Sequence, residues 1–541
     1  MKVLLSVLHF GLLRNFEPLV LELATRGHQV LLMADEPDEF GGQGLAEALA
    51  ARPGVRWVMA PSDLGTAWFP VARKLRQGID YLRFLEPRYH EFPKLAARAA
   101  ERTPRVVTRL AAAGGRPGRR LLAAALDTVE RGMPRLPEMD ALLARERPDV
   151  ALFGSVTHPR AAQAYHLRSA RAAAVPTGVT VYSWDHLSSK ALIRDLPDGV
   201  FVWNDVQRRE AVELHGIPAD RVVVTGAQVY DQWFGRQPGR DRATFLAAMG
   251  LPADRALILY VCSALTPDPR ESRFVRRWLE AIRASDDPGL ANAAVIIRPH
   301  PERRREWQDV AWPELGPVLV TGANPITADA KADYFDALAH AGAVVGLVTS
   351  AFLEAAIAGR PVLTVLPPDL RPHQEGMLHF RYLLEVEGGL LKAARTLPDH
   401  VADLSAALAG DQHQAEQQRR FLTAFVRPAG LDRPATPVFA DAVEALGRTA
   451  RVAAAEPAAW RRALAAGVIR LAGTTTGARL LRDDREAAEE ATRHQRLAAD
   501  RRAHRAKWRR HRRQKLAAQV QWKLKRVREL VTTGTLSRHD R

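Results

Sequence analysis

The chain has 541 residues, 47% apolar and 26% charged, an ordinary globular composition with length for about three domains, or two large ones plus extensions. Such a chain can bury its own core without staples, and its single cysteine, Cys262, excludes a disulfide framework or a cysteine-rich zinc site and fits a reducing compartment. The net charge of +17 is concentrated: residues 491–530 hold fifteen Arg or Lys against Asp500 and Glu529, a net +13, and the last eleven residues add +1, which leaves +3 for residues 1–490.

Residues 2–9 read as a buried first strand. A secretion signal is not expected, because His9, Arg14, Asn15 and Glu17 interrupt the apolar run and no small-residue cleavage site follows. No window reaches the roughly 18 apolar residues of a membrane span. A loop at 10–15, an amphipathic stretch at 16–26 closed by Gly27-His28, and an apolar run at 29–34 form a strand–loop–helix–strand unit. That unit builds parallel, doubly wound sheets. Residues 55–59 offer a third strand. The Ala-, Arg- and Leu-rich stretch 65–147 has helical spacing around Tyr81, Phe84 and Leu85 and again at 121–129, with a Gly/Pro break at 114–118, and predicts a helical insertion. Strand-like runs resume at 150–153, 174–181, 199–203 and 222–225, before a Gly/Pro/Arg-rich linker at 235–242. A second α/β half follows, with strand-like runs at 256–262, 293–298, 318–320, 343–347 and 361–366 and helical stretches at 273–284 and 350–358.

The expected fold class is therefore α/β, two Rossmann-like domains facing a cleft. The expected borders are 1–240 with the insertion 65–147, then 241–450, then a basic helical tail at 451–541. In the tail, Leu516, Val520, Leu524, Val527 and Val531 recur at helical spacing among arginines and lysines. A basic amphipathic helix of this kind suits an anionic membrane surface, and residues 491–530 are its candidate contact; a solvated tail is the alternative. No folded nucleic-acid motif accompanies it, so nucleic acid is not an expected partner.

Ligands of parallel sheets bind beyond the carboxyl ends of the strands, so the loops there carry the candidate chemistry. The first, at 9–15, holds His9, a candidate base, with Arg14 and Asn15 beside it, and has no GxGxxG. The loop after 175–181 packs Ser183, Trp184, Asp185, His186 and Lys190 together. A carboxylate beside a histidine suits acid/base work or the orientation of a sugar hydroxyl; an Asx-turn with a helix cap is the plainer reading. After 256–262, Ser263 and Thr266 could hold a phosphate. Arg298-Pro299-His300-Pro301 fixes a cation and an imidazole rigidly at a strand end, which suits a diphosphate. Thr349 and Ser350 stand where cap hydroxyls belong, and Glu354 lies four residues on, on the same face, within reach of a ribose diol. No P-loop, HExxH or GxSxG sequence is present, and metal-ligand spacing is absent.

Taken in order, Arg298-Pro299-His300-Pro301 and 349–356 resemble the matching elements of CDP-glycerol glycerophosphotransferases and related capsule or cell-wall transferases. Residues 183–190 and 261–271 resemble segments of bacterial GT-B-like proteins from surface-polysaccharide settings. The resemblance spans roughly residues 1–430 and is to the GT-B glycosyltransferase-like group; the helical insertion and the basic tail do not map onto its core. It implies transfer from a nucleotide-activated donor to a saccharide or lipid-linked acceptor, with no cofactor and no metal. It maps catalysis and phosphate binding onto His300 and the donor nucleotide onto Ser350 and Glu354. The loop chemistry itself adds His9, Asp185 and His186 as catalytic candidates, Ser263, Thr266, Arg298, His300 and Thr349 for the donor, and Arg14, Asn15, Trp184 and Lys190 for the acceptor. A cytoplasmic location is expected, with peripheral contact on the inner face of the cell membrane as a further option. A polyol-phosphate transferase, a nucleotide-sugar 2-epimerase and an inactive binding protein anchored by its tail are the competing readings.

Overall fold

The computed structural model describes residues 1–36, 42–61, 66–159, 161–264, 270–308, 310–410 and 413–484. Thr266 and the basic segment 491–530 lie outside them.

Near-continuous apolar runs make the central strands buried on both faces, as parallel sheets demand, while the edge strands stay partly exposed. In the first half the strands are β1 (Lys2–Val7), β2 (Gln29–Ala34), β3 (Val55–Met59), β4 (Val150–Phe153), β5 (Thr177–Thr180), β6 (Gly199–Val202) and β7 (Val222–Val224). They form one parallel sheet in the order β3-β2-β1-β4-β5-β6-β7, with Val3 opposite both Val30 and Val150. In the second half, β8 (Leu257–Val261), β9 (Ala294–Arg298), β10 (Val318–Val320), β11 (Ala343–Gly346), β12 (Val362–Val365) and β13 (Lys392–Ala394) pair in parallel as β10-β9-β8-β11-β12-β13. Strand order reverses at β1/β4 and at β8/β11, which opens a crevice at the carboxyl ends of each pair. The loops after β1, β8 and β11 are thus placed to meet a ligand.

Between β3 and β4 the chain is helical, from Phe69–Phe84 through Pro137–Glu146, and the 114–118 break separates Arg105–Ala113 from Gly115–Glu130. The 235–242 linker is fastened to the second half. Asp336 accepts from the Gly239 amide (2.7 Å) and from Arg240 Nε (2.8 Å).

The chain crosses back at residue 426. Helix Ala435–Gly447 lies on the first sheet, with Phe439, Ala440 and Val443 buried among Val3, Leu5 and Phe201. Asp231 anchors this return by accepting from Arg427 Nη2 (2.6 Å), the Thr436 amide (2.7 Å) and the Thr436 hydroxyl (2.6 Å). Gly226 sits under it at φ +83°, where an added Cβ would stand 2.7 Å from the Ala435 Cβ. The glycine serves this chain crossing rather than a ligand. Gly226→Ala combines a left-handed backbone with a clash and is expected to cost about 1–3 kcal/mol. Urea denaturation of the whole chain checks this, and an unchanged midpoint would show that the crossing is slack.

Candidate functional site

One cavity of about 240 Å³ lies between the two halves, at the carboxyl ends of both sheets. The first half supplies Arg14, Asn15, Tyr182, Ser183 and Tyr230; the second supplies Arg298, His300, Tyr334, Thr349, Ser350 and Glu354.

Arg298 is the last residue of β9 and is only 8% exposed. Its Nη2 donates to the Ala323 carbonyl (2.9 Å), and its guanidinium lies 4.8 Å over the Tyr334 ring. It makes no ion pair among the described residues. Burial pulls its pKa down, against the opposing pull of Tyr334, Asp333 and Glu354. Gly322, at φ +133°, makes room for it, since a Cβ there would lie 2.7 Å from the Arg298 Cζ. His300 follows two residues later and lines the same wall.

Glu354 stands on helix Ala351–Ile357, half-buried, and accepts a hydrogen bond from the Tyr334 hydroxyl. Burial raises its pKa, while Tyr334, Arg14 and Arg298 oppose the rise. Thr349 Oγ1 accepts from the Ala351 amide (3.3 Å), so the hydroxyl one position before the cap bonds the helix start. Ser350 is exposed, and its side chain makes no cap bond.

The first half reaches across at two points. Arg14 Nη1 donates to Asn324 Oδ1 (3.0 Å), and Glu17 pairs with Lys331. A bond within the first half, from Gln228 Nε2 to the Asn15 carbonyl, braces the loop that carries Arg14. Arg14, Arg298 and Lys331 together give the cleft a cationic character.

The structure brings Arg14, Asn15, Arg298, His300, Thr349, Ser350 and Glu354 to this one cavity. The other candidates stand elsewhere. His9 precedes the turn Phe10–Asn15 and is not among the lining residues. Ser263 is 1% exposed, and its hydroxyl (2.7 Å) and amide (2.9 Å) both donate to Glu271 Oε2. Burial pushes the Glu271 carboxyl up to about 7.

Of the 183–190 cluster, only Ser183 lines the cleft. Asp185 is turned inward, accepting from the Ser183 hydroxyl (2.6 Å) and pairing with Lys190 (3.1 Å). Burial opposes its charge, but Lys190, His379, His186 and the Ser183 hydroxyl hold its pKa well below the usual carboxylate range. His186 is buried with its ring 4.1 Å from that of Tyr182, and burial lowers its pKa to about 4, so it is neutral at pH 7. Trp184 packs edge-on to His379 at 4.8 Å, and Lys190 borders a separate cavity. The internal bonding of this cluster is the geometry of a braced turn.

Sequence reasoning missed Tyr334, Asn324 and Lys331. Tyr334 and Lys331 sit on the helix Ala328–His340, whose pattern carries no special signal. Asn324 was findable, because it lies in the polar loop beyond the carboxyl end of β10.

No protein-family model matches the chain, and no curated protein matches it. Among solved structures, it is similar to a putative UDP-N-acetylglucosamine 2-epimerase from Listeria monocytogenes, with 13% identity over 84% of this chain and 98% of that one, at a TM-score of 0.47. It is similar to a glycosyltransferase from Rickettsia africae, with 8% identity over 83% and 99% of the two chains, at 0.48. It is also similar to WaaG, a glycosyltransferase involved in lipopolysaccharide biosynthesis, with 12% identity over 83% and 100%, at 0.45. The strand orders and the shared cleft establish the fold directly: two Rossmann-like domains in a GT-B-like arrangement.

Proposed function

We propose that this chain is a glycosyltransferase that moves a sugar from a nucleotide-activated donor to a surface-polysaccharide or lipid-linked acceptor. The observation that carries this reading is Arg298, a buried guanidinium without an ion pair, aimed at the crevice of a second Rossmann-like half. A buried charge without a counter-charge is costly, and a diphosphate supplies the missing anion to a forked donor. Glu354, across the same wall, offers its carboxylate to the ribose hydroxyls. The acceptor then lies against Arg14, Asn15 and Ser183. As the bond from the sugar carbon to the diphosphate oxygen breaks and the bond to the acceptor oxygen forms, Arg298 stabilises the leaving charge. His300 takes the acceptor's proton. Closure of the two halves would exclude water and align the reactants.

A cytidine-linked polyol phosphate would meet the same arginine, so the base that binds decides between sugar and polyol donors. A lipid-linked acceptor would bring the protein to the cytoplasmic face of a membrane. No described helix is long and apolar enough to cross one.

The test is a thermal-shift screen of the whole chain against UDP, GDP and CDP and their sugar or glycerol conjugates, followed by product analysis. A ligand at 100 times its Kd stabilises the folded state by about 2.7 kcal/mol. One nucleotide is expected to raise the melting temperature, with its sugar conjugate consumed only when acceptor is added. A CDP-only shift would move the assignment to polyol-phosphate transfer. Conversion of the sugar at C2 without acceptor would make the protein an epimerase. No shift with any nucleotide would leave a binding protein and overturn the proposal.

A further inference from the structure

A second cavity, of about 1020 Å³, lies where the helical insertion meets the first half, away from the cleft. Its most unusual feature is Arg83, on helix Phe69–Phe84, only 7% exposed. Arg83 Nη2 donates to the Lys190 carbonyl (2.6 Å), but among the described residues its buried Nε and Nη1 have no hydrogen-bond partner and no carboxylate lies within ion-pair distance. The guanidinium lies 4.5 Å from the Phe84 ring centre and 5.9 Å from that of Tyr89. The Tyr89 hydroxyl, in a residue 2% exposed, is likewise unbonded. Three buried donors at one wall are expensive unless an acceptor joins them.

Asp80, one turn back on the same helix, is a buried carboxylate that Arg83 acts on, but on the cavity wall itself arginines outnumber carboxylates. Helix Gly115–Glu130 brings Arg116, Arg119 and Arg120 to the cavity at i, i+3, i+4 spacing, one face of the helix. Of the two carboxylates on the wall, Glu86 is already paired with Arg88 (3.0 Å), and the second is Glu213. Besides His90 and His215, the remaining wall is mostly apolar, with Leu82, Leu85 and Leu214. On the same helical hairpin, Leu110 and Leu121 are 52% and 74% exposed.

We infer that this cavity binds an amphiphilic phosphate, a phosphate or diphosphate head joined to an apolar chain. The tetrahedral oxyanion accepts from the Arg83 fork, the Tyr89 hydroxyl and the exposed heads of Arg116 and Arg120, as guanidinium forks favour, while Arg119 Nε is held by the Ala111 carbonyl (2.9 Å). The leucine wall takes the chain. The inference does not rest on the reading of the cleft.

Calorimetric titration of octyl phosphate into the full chain tests it. Saturable binding is expected, weakened at least tenfold by Arg83→Lys. The exposed double variant Arg116→Gln/Arg120→Gln is expected to lose at least as much with an unchanged melting temperature, which guards against misfolding at Arg83. Octyl glucoside, with the same chain and a neutral head, and inorganic phosphate, with no chain, should each bind at least tenfold more weakly. Glu354→Gln should leave octyl phosphate binding unchanged, which separates this site from the cleft. Equal binding of either control, or unchanged binding in both arginine variants, overturns the inference. Displacement of octyl phosphate by vesicles containing phosphatidic acid, but not by phosphatidylcholine alone, assigns the head group to a bilayer. Binding that such vesicles leave intact assigns it to a free amphiphile.

Discussion

Arg298→Met is expected to weaken nucleotide-diphosphate binding by about thirtyfold or more while leaving the melting temperature of the free protein unchanged or raised. The two halves of this expectation come from one observation. In the free protein Arg298 is a buried cation with one hydrogen bond, to Ala323, and a ring beneath it. A methionine keeps most of the packing against Tyr334 and removes the desolvated charge, and replacing buried charge by apolar volume is often neutral or stabilising. In the complex, the same substitution strands a diphosphate without its counter-charge, at a cost of about 2–5 kcal/mol. Arg298→Lys restores charge but not the fork or the stacking, and should fall between. Differential scanning fluorimetry with and without nucleotide reads both quantities in one experiment. A melting temperature that falls while the ligand-induced shift survives would make Arg298 a structural residue and remove the main support for the donor site.

Where the sequence was legible, a single physical rule governed it. Strands β2 and β4 coincide with their predicted runs because a parallel strand buried on both faces must be an apolar run bounded by polar residues. Strand β13, Lys392–Ala394, has no such run and exists only because Leu363–Val365 of β12 offers it a ladder. The site divides the same way. Arg298, His300, Ser350 and Glu354 could be placed because Arg298 ends β9, His300 follows it, and Ser350 and Glu354 lie in the turn and first helix after β11, and the topology delivers strand ends to the crevice. The 183–190 cluster also follows a strand, yet Asp185 and His186 point away from the cavity. Nothing in their spacing distinguishes a carboxylate that serves a substrate from one that braces its own turn. Tyr334 and Lys331 could not be ranked, since their roles come from meeting Glu354 and Glu17, side chains of other helices.

The largest expected effect on stability lies far from the cleft, at Glu130. This carboxylate, 0% exposed, ends helix Gly115–Glu130 of the insertion. It accepts from Arg168 Nη2 (2.6 Å) and the Tyr165 hydroxyl (3.0 Å), with Arg194 at 3.6 Å and Arg76 at 3.9 Å. One anion thus serves three guanidinium groups, and Asp195 and Asp127 hold only the outer sides of Arg168 and Arg194. Glu130→Gln keeps the shape and leaves those cations under-compensated, so the insertion should lose about 3–5 kcal/mol of its attachment to the first half. That corresponds to a loss of about two to four orders of magnitude in hydrogen-exchange protection over residues 115–130. The pH dependence has a definite sign. Burial opposes the charge, but Arg168, Arg194 and Arg76 hold the Glu130 pKa far below the usual carboxylate value. The unfolded carboxylate protonates near pH 4.3, so the stabilisation is complete above that value and declines as pH falls below it toward the depressed folded pKa. The difference between wild type and Glu130→Gln should therefore be full at pH 7 and shrink below about pH 4. A difference that persists unchanged at pH 3 would mean that packing, not charge, holds the insertion in place.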